Sequence, residues 1–103
     1  MQHKWKIKPE SIQVGGLNFP IKMAPNLLIN RRECGNSCFE VNKGLEIDPA
    51  SDCEIKSLTL LHEVVHTIDY VFLQKVLEEG QIDGIAQGLL QILQQWGVEF
   101  DWD

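Results

Sequence analysis

The hydrophobic period of this chain changes once, near Asp48, and that change limits the folds open to it. Before it, apolar residues alternate with polar ones; after it, they recur at steps of three and four. A period of two places side chains on alternate faces of a strand, whereas a period of 3.6 lines one side of a helix. The first half therefore predicts a small, partly antiparallel sheet packed on two C-terminal helices, an α+β layout. At 103 residues with 44% apolar content, the chain predicts a single domain with one modest core. The expected bounds are sheet over about 1–48, helices over about 50–96 and a tail over 97–103.

Several short strands can be placed. Trp5–Lys8 alternates apolar with basic, and Ser11–Val14 alternates again before the turn signal Gly15-Gly16. Leu17–Met23 resumes the period, with Pro20 predicting an edge strand or a bulge. Leu27–Ile29 reads as a strand or a helical turn, and Arg31–Ser37 as a polar stretch turning at Gly35-Asn36. Cys38–Val41, Asn42–Gly44 and Leu45–Ile47 read as a hairpin.

In the helical half, Asp48-Pro49 offers a cap and Ser51-x-x-Glu54 has the form of a capping box. Ile55, Leu58, Leu61, Val65, Ile68 and Phe72 form one stripe; Ile82, Ile85, Ala86, Leu89, Ile92, Leu93 and Trp96 form another. Gly80 marks the break between them. Val98–Asp103 reads as a docked strand or a sticky tail.

Charge and composition narrow the functional classes. A net charge of −6 disfavours binding to phosphate backbones, so no direct nucleic-acid partner is expected. No apolar run reaches the roughly 18–20 residues that span a bilayer, and the N-terminus lacks the apolar stretch of a signal peptide. Cys34, Cys38 and Cys53 cannot all pair within one chain, which points to free thiols in a reducing, cytoplasmic setting.

The residues that carry chemistry lie inside the first helical stripe. His62-Glu63-Val64-Val65-His66 places two imidazoles four residues apart, so both leave the same face one turn apart. Such a pair grips one tetrahedral Zn²⁺, and Glu63 at the flank is placed to take a proton from an attacking water. Two histidines leave a catalytic zinc one protein ligand short. Glu79 and Asp83, again four apart, share a face of the next helix: Glu79 is the expected third ligand, with Asp83 orienting a ligating histidine. Glu78 is the rival ligand. Gly80, Gly84 and Gly88 make a stripe without side chains, which predicts close approach by another element.

His62-Glu63-x-x-His66, then twelve intervening residues, then Glu79-x-x-x-Asp83, resembles the gluzincin branch of zinc metallopeptidases. The small size and short linker are similar to the ImmA/IrrE family of phage and bacterial proteins. Leu60–Tyr70 reads like that family's central helix and Ile82–Leu89 like its second, a likeness covering roughly residues 43–95. The resemblance implies a minimal zincin core, Zn²⁺ as cofactor and proteolysis of a peptide or protein substrate, in the best-known members a transcriptional regulator. It also implies that the strand near Leu45–Ile47 accepts an extended peptide by strand addition. Zincins usually add a Tyr, His or Arg that stabilises the oxyanion. Tyr70 is the nearest candidate, though better placed for packing; His3 and Arg31 are weaker ones.

The alternative from another class is a catalytically silent, metal-stabilised interaction module. Trp96, Phe100 and Trp102 fit a partner-binding patch, but covering a small core is the simpler use. Cys34 and Cys38 lack a further Cys or His pair that would complete a second metal site, and nothing pairs Cys53 with a base.

Overall fold

The computed structural model describes residues 4–24, 35–38 and 44–102. It is an α+β fold with strands in the N-terminal half and two helices in the C-terminal half. Leu27–Ile29, Arg31, Cys34, Phe39–Lys43 and His3 lie outside the described residues.

Strands β1 (Trp5–Ile7), β2 (Ser11–Val14), β3 (Leu17–Met23), β4 (Gly35–Cys38) and β5 (Gly44–Ile47) precede helix α1 (Cys53–Ile68). A π-helical turn, Asp69–Leu73, ends α1; helix α2 (Glu79–Gln95) and strand β6 (Val98–Phe100) complete the chain. Four strands form one sheet in the order β2-β3-β5-β4. β2 and β3 join antiparallel through Gly15 and Gly16, both at positive φ, the twist-matched geometry of a two-residue hairpin. β1 does not join this sheet. It pairs in parallel with β6, tied by Lys4 Nζ to Glu99 Oε1 at 3.0 Å, so the segment after α2 is a docked strand.

The sheet corrects three expectations. Pro20 is not on an edge, because β3 lies between β2 and β5. Ile21 donates toward β2, to the Glu10 carbonyl, so the position of Pro20 faces β5, where pairing starts only at Ile21 opposite Leu45. The missing N–H therefore breaks no ladder bond. Gly35-Asn36 is not a turn but the start of β4, antiparallel to β5. Finally, Leu45–Ile47 offers no free edge for a peptide, since β3 and β4 occupy both sides of β5.

Helix α1 is the shared element of two cores. Leu60 packs with Leu45 and Ile47 of β5, joined by Ile12, Ile21 and Val64. Leu61 and Val65 pack with Ile82 and Ala86 of α2, joined by Leu58, Leu77, Leu90 and Leu93. Phe100 reaches both clusters; Trp102 packs on the first, and its indole N–H donates to Ser57 Oγ at 3.0 Å. Trp96, by contrast, is 69% exposed and outside either core.

Caps and stripes shift from their expected places. Asp52, not Ser51, caps α1, accepting from the Ile55 amide at 2.9 Å. Buried Asp48 instead closes a turn, with Ala50 N–H on its carboxylate and Ser51 Oγ on its carbonyl. Ile55, Ile68 and Phe72 are exposed, as are Ile85, Leu89 and Ile92 on α2. The buried stripe of Leu61 and Val65 continues at Asp69, four residues on, rather than at Ile68, and the π-helical turn that begins there shifts the phase so that Phe72 is exposed.

The glycines sort by φ rather than by spacing. Gly44 has φ +69, and a Cβ there would collide with the Pro20 carbonyl oxygen. At Gly80, Gly84 and Gly88 a Cβ would meet nothing within 4 Å among the described residues, so none of the described elements packs closely on that stripe. Gly44→Ala is expected to destabilise by at least about 1–2 kcal/mol from the left-handed backbone alone. Gly88→Ala should stabilise by up to about 1 kcal/mol through helix propensity. Denaturant unfolding of the two variants gives opposite signs if this assignment holds.

Candidate metal centre

His62 and His66 leave α1 one turn apart, and their Nε2 atoms stand 3.1 Å from each other. The imidazoles are mostly buried, 21% and 24% exposed. Across the helix interface, Glu79 reaches both rings, with Oε2 3.2 Å from His62 Nε2 and Oε1 2.9 Å from His66 Nε2. Asp83, one turn further along α2, stands behind the pair: its Oδ1 is 2.7 Å from His62 Nδ1.

That last contact decides the chemistry of His62. The Asp83 carboxylate at 2.7 Å accepts a hydrogen bond from Nδ1–H, the arrangement that leaves the lone pair of an imidazole at Nε2. Nε2 therefore faces Glu79 Oε2 lone pair to lone pair, with the His66 ring equally close. One proton on His66 can bridge a single contact of this cluster, not all of them. A cation in the middle satisfies every donor together. Ligands at about 2.0–2.1 Å from a tetrahedral ion lie about 3.3–3.4 Å apart, and the observed 2.9–3.2 Å falls just inside that spacing. Two imidazoles and one carboxylate are also a donor set that zinc accepts. The residues present thus fit the group.

Local capping explains why Glu79 and not Glu78 faces the histidines. Glu78 is the N-cap of α2, with φ −87 and ψ 160, and its side chain accepts from the backbone N–H of Gln81. The Gln81 side-chain oxygen accepts in return from the Glu78 amide at 2.8 Å. This reciprocal box occupies Glu78 and starts the helix at Glu79, whose side chain is then directed at α1. Glu78-x-x-Gln81 was the sequence signal for this arrangement.

Glu63 is buried at 6% exposure, and its carboxylate lies within 4.8 Å of the two histidine donor atoms. It therefore sits beside the donors, while Glu79 is the carboxylate in contact with both rings. Tyr70 lies in the π-helical turn with its ring beneath Lys75 Nζ at 5.4 Å, a packing arrangement. Cys53, an exposed free thiol at the start of α1, borders a separate cleft with Ser57, Leu90, Gln94 and Phe100.

Asp69 is the residue that sequence reasoning missed. Its carbonyl accepts from the Gln74 and Lys75 amides and its carboxylate from the Val76 and Leu77 amides. The only hint in the sequence was an acid one turn beyond His66, at the end of the stripe through Leu61 and Val65.

Removing the orienting carboxylate tests the tautomer argument. Asp83→Ala is expected to weaken zinc binding about 10–100-fold, while Glu78→Ala leaves it within a few-fold and lowers helix stability by about 1 kcal/mol. Competition against a zinc-selective chelator, with thermal unfolding alongside, separates the two.

No known protein-family model, curated protein or solved structure matches this chain.

Proposed function

We propose that the chain is a minimal zinc-dependent metallopeptidase. The observation that supports this reading is the convergence of three Lewis-basic side chains, His62, His66 and Glu79, with a second carboxylate beside them at Glu63. His62, His66 and Glu79 would hold Zn²⁺, and Asp83 would keep His62 in the tautomer that points Nε2 inward. Bound there, zinc supplies a Lewis acid that makes a nearby water more acidic and polarises a carbonyl.

Glu63 then does the proton work. Its buried carboxylate takes the proton of the attacking water and later delivers it to the departing amine. Burial matters to this role because a carboxylate removed from bulk water keeps the proton local to the reaction. The substrate class is a peptide or protein chain; a transcriptional regulator, implied by the likeness to the ImmA/IrrE family, is a candidate. No oxyanion donor is assigned: Tyr70 lies under Lys75, and His3 and Arg31 fall outside the described residues.

A second reading is favoured by one observation, that the cluster bridges α1 and α2. A metal joining two helices stabilises the fold whether or not anything is cleaved. The two readings separate at Glu63. Glu63→Gln is expected to keep zinc content and the zinc-dependent rise in unfolding temperature. It should lower cleavage of a mixture of fluorogenic peptides by about 10²–10⁴-fold. Unchanged cleavage by Glu63→Gln, or none by the parent loaded with zinc, contradicts the peptidase reading.

A further inference from the structure

The connection between the helices is organised by one residue, whose backbone carbonyl holds its first half and whose carboxylate holds its second. Residues 74–78 carry the chain from the end of the π-helical turn to the start of α2. Gln74 and Lys75 both adopt left-handed backbone, with φ 60 and 62, a conformation that non-glycine residues enter at a cost. Something must hold them there. Asp69, 4% exposed, accepts from four consecutive amides. Its carbonyl takes Gln74 N–H and Lys75 N–H, the latter at 3.1 Å, and its Oδ1 takes Val76 N–H at 3.0 Å and Leu77 N–H at 3.2 Å. The next residue, Glu78, opens the capping box of α2, and the one after it is Glu79. From Asp69 to the carboxylate between the two imidazoles the chain therefore runs without an unanchored residue.

We infer that Asp69 is a positioning residue for the metal centre: it sets the path of residues 74–78 so that Glu79 meets His62 and His66. The inference rests on the metal-centre reading above. Asp69 touches no donor atom of the cluster through the contacts that fix it; it acts through the backbone that carries Glu79. Place, not charge, is what the geometry requires of it: Oδ1 accepts both carboxylate-bound amides at 3.0 and 3.2 Å, and Oδ2 adds only a longer contact to the Leu77 amide at 3.4 Å. Asparagine keeps an acceptor there without the charge, whereas glutamate keeps the charge and moves it outward by one methylene.

The test measures zinc affinity of the full chain by chelator competition, and the visible spectrum of the Co²⁺-substituted protein, for Asp69→Asn, Asp69→Glu, Asp69→Ala, Glu79→Ala and Asp69→Ala with Glu79→Ala. Asp69→Asn is expected within about threefold of the parent, with an unchanged cobalt spectrum. Asp69→Glu and Asp69→Ala should bind about 10–100-fold more weakly, with the cobalt bands of Glu79→Ala. The double variant should be no weaker than Glu79→Ala alone, because the two act on one ligand. Asp69→Asn and Asp69→Glu decide the matter even where Asp69→Ala does not fold. Parent-like binding by Asp69→Glu, or a double variant weaker than Glu79→Ala by the full factor of each, overturns the inference while leaving the metal centre in place. Parent-like zinc binding by Glu79→Ala removes the metal-centre reading itself, and the inference with it.

Discussion

Helix α1 has to meet three environments around one axis, and the rest of the structure depends on how it divides them. Leu60 and Val64 face the sheet, Leu61 and Val65 face α2, and His62 and His66 face the carboxylates of α2. Sixteen residues supply all three faces. Rotation of the helix about its axis would expose one apolar face and pull the imidazoles from Glu79 together. The packing of two cores therefore fixes the geometry of the polar cluster, although neither core contains a polar ligand. Each fully buried aliphatic side chain adds roughly 1.5–3 kcal/mol, far more than exposed ion pairs of the kind Glu79 makes without a cation.

The candidate metal cluster is built from a mixture of buried and exposed groups. The histidines are largely covered, while Glu79 is 71% exposed and Asp83 is 62% exposed. Carboxylates held by one helix terminus, and open to water, contribute little to folding on their own. Their value lies in what they converge on. Such a division leaves one side of the cluster reachable from solvent, as an ion with an open coordination position requires.

What could be read in the sequence, and what could not, follows the range of the interaction. His62 and His66 share a face because helical geometry fixes the angle between residues four apart, and the same argument paired Glu79 with Asp83. The choice between Glu78 and Glu79 also has a local signature, the Glu78-x-x-Gln81 box. The α+β layout was legible from the change of period. Sheet order was not: that Pro20 sits in an inner strand, and that β5 is covered on both sides, depend on pairings between distant segments. The regular period fails after Asp69, which continues the stripe of Leu61 and Val65 with a polar residue: the π-helical turn from Asp69 to Leu73 adds a residue that no periodic template anticipates, and Phe72 is exposed.

Phe100 has a role that its short strand does not advertise. It belongs to both apolar clusters, and β6 carries it into place by pairing with β1, where Lys4 and Glu99 meet across 95 positions of sequence. Closing so long a loop costs on the order of 4 kcal/mol in chain entropy before any contact compensates. The pairing that seats this shared residue is thus a long-range contact, of the kind that raises contact order and slows folding. Through that one aromatic ring the sheet and the helix pair share a member, so the meeting of β6 with β1 bears on both halves of the fold at once.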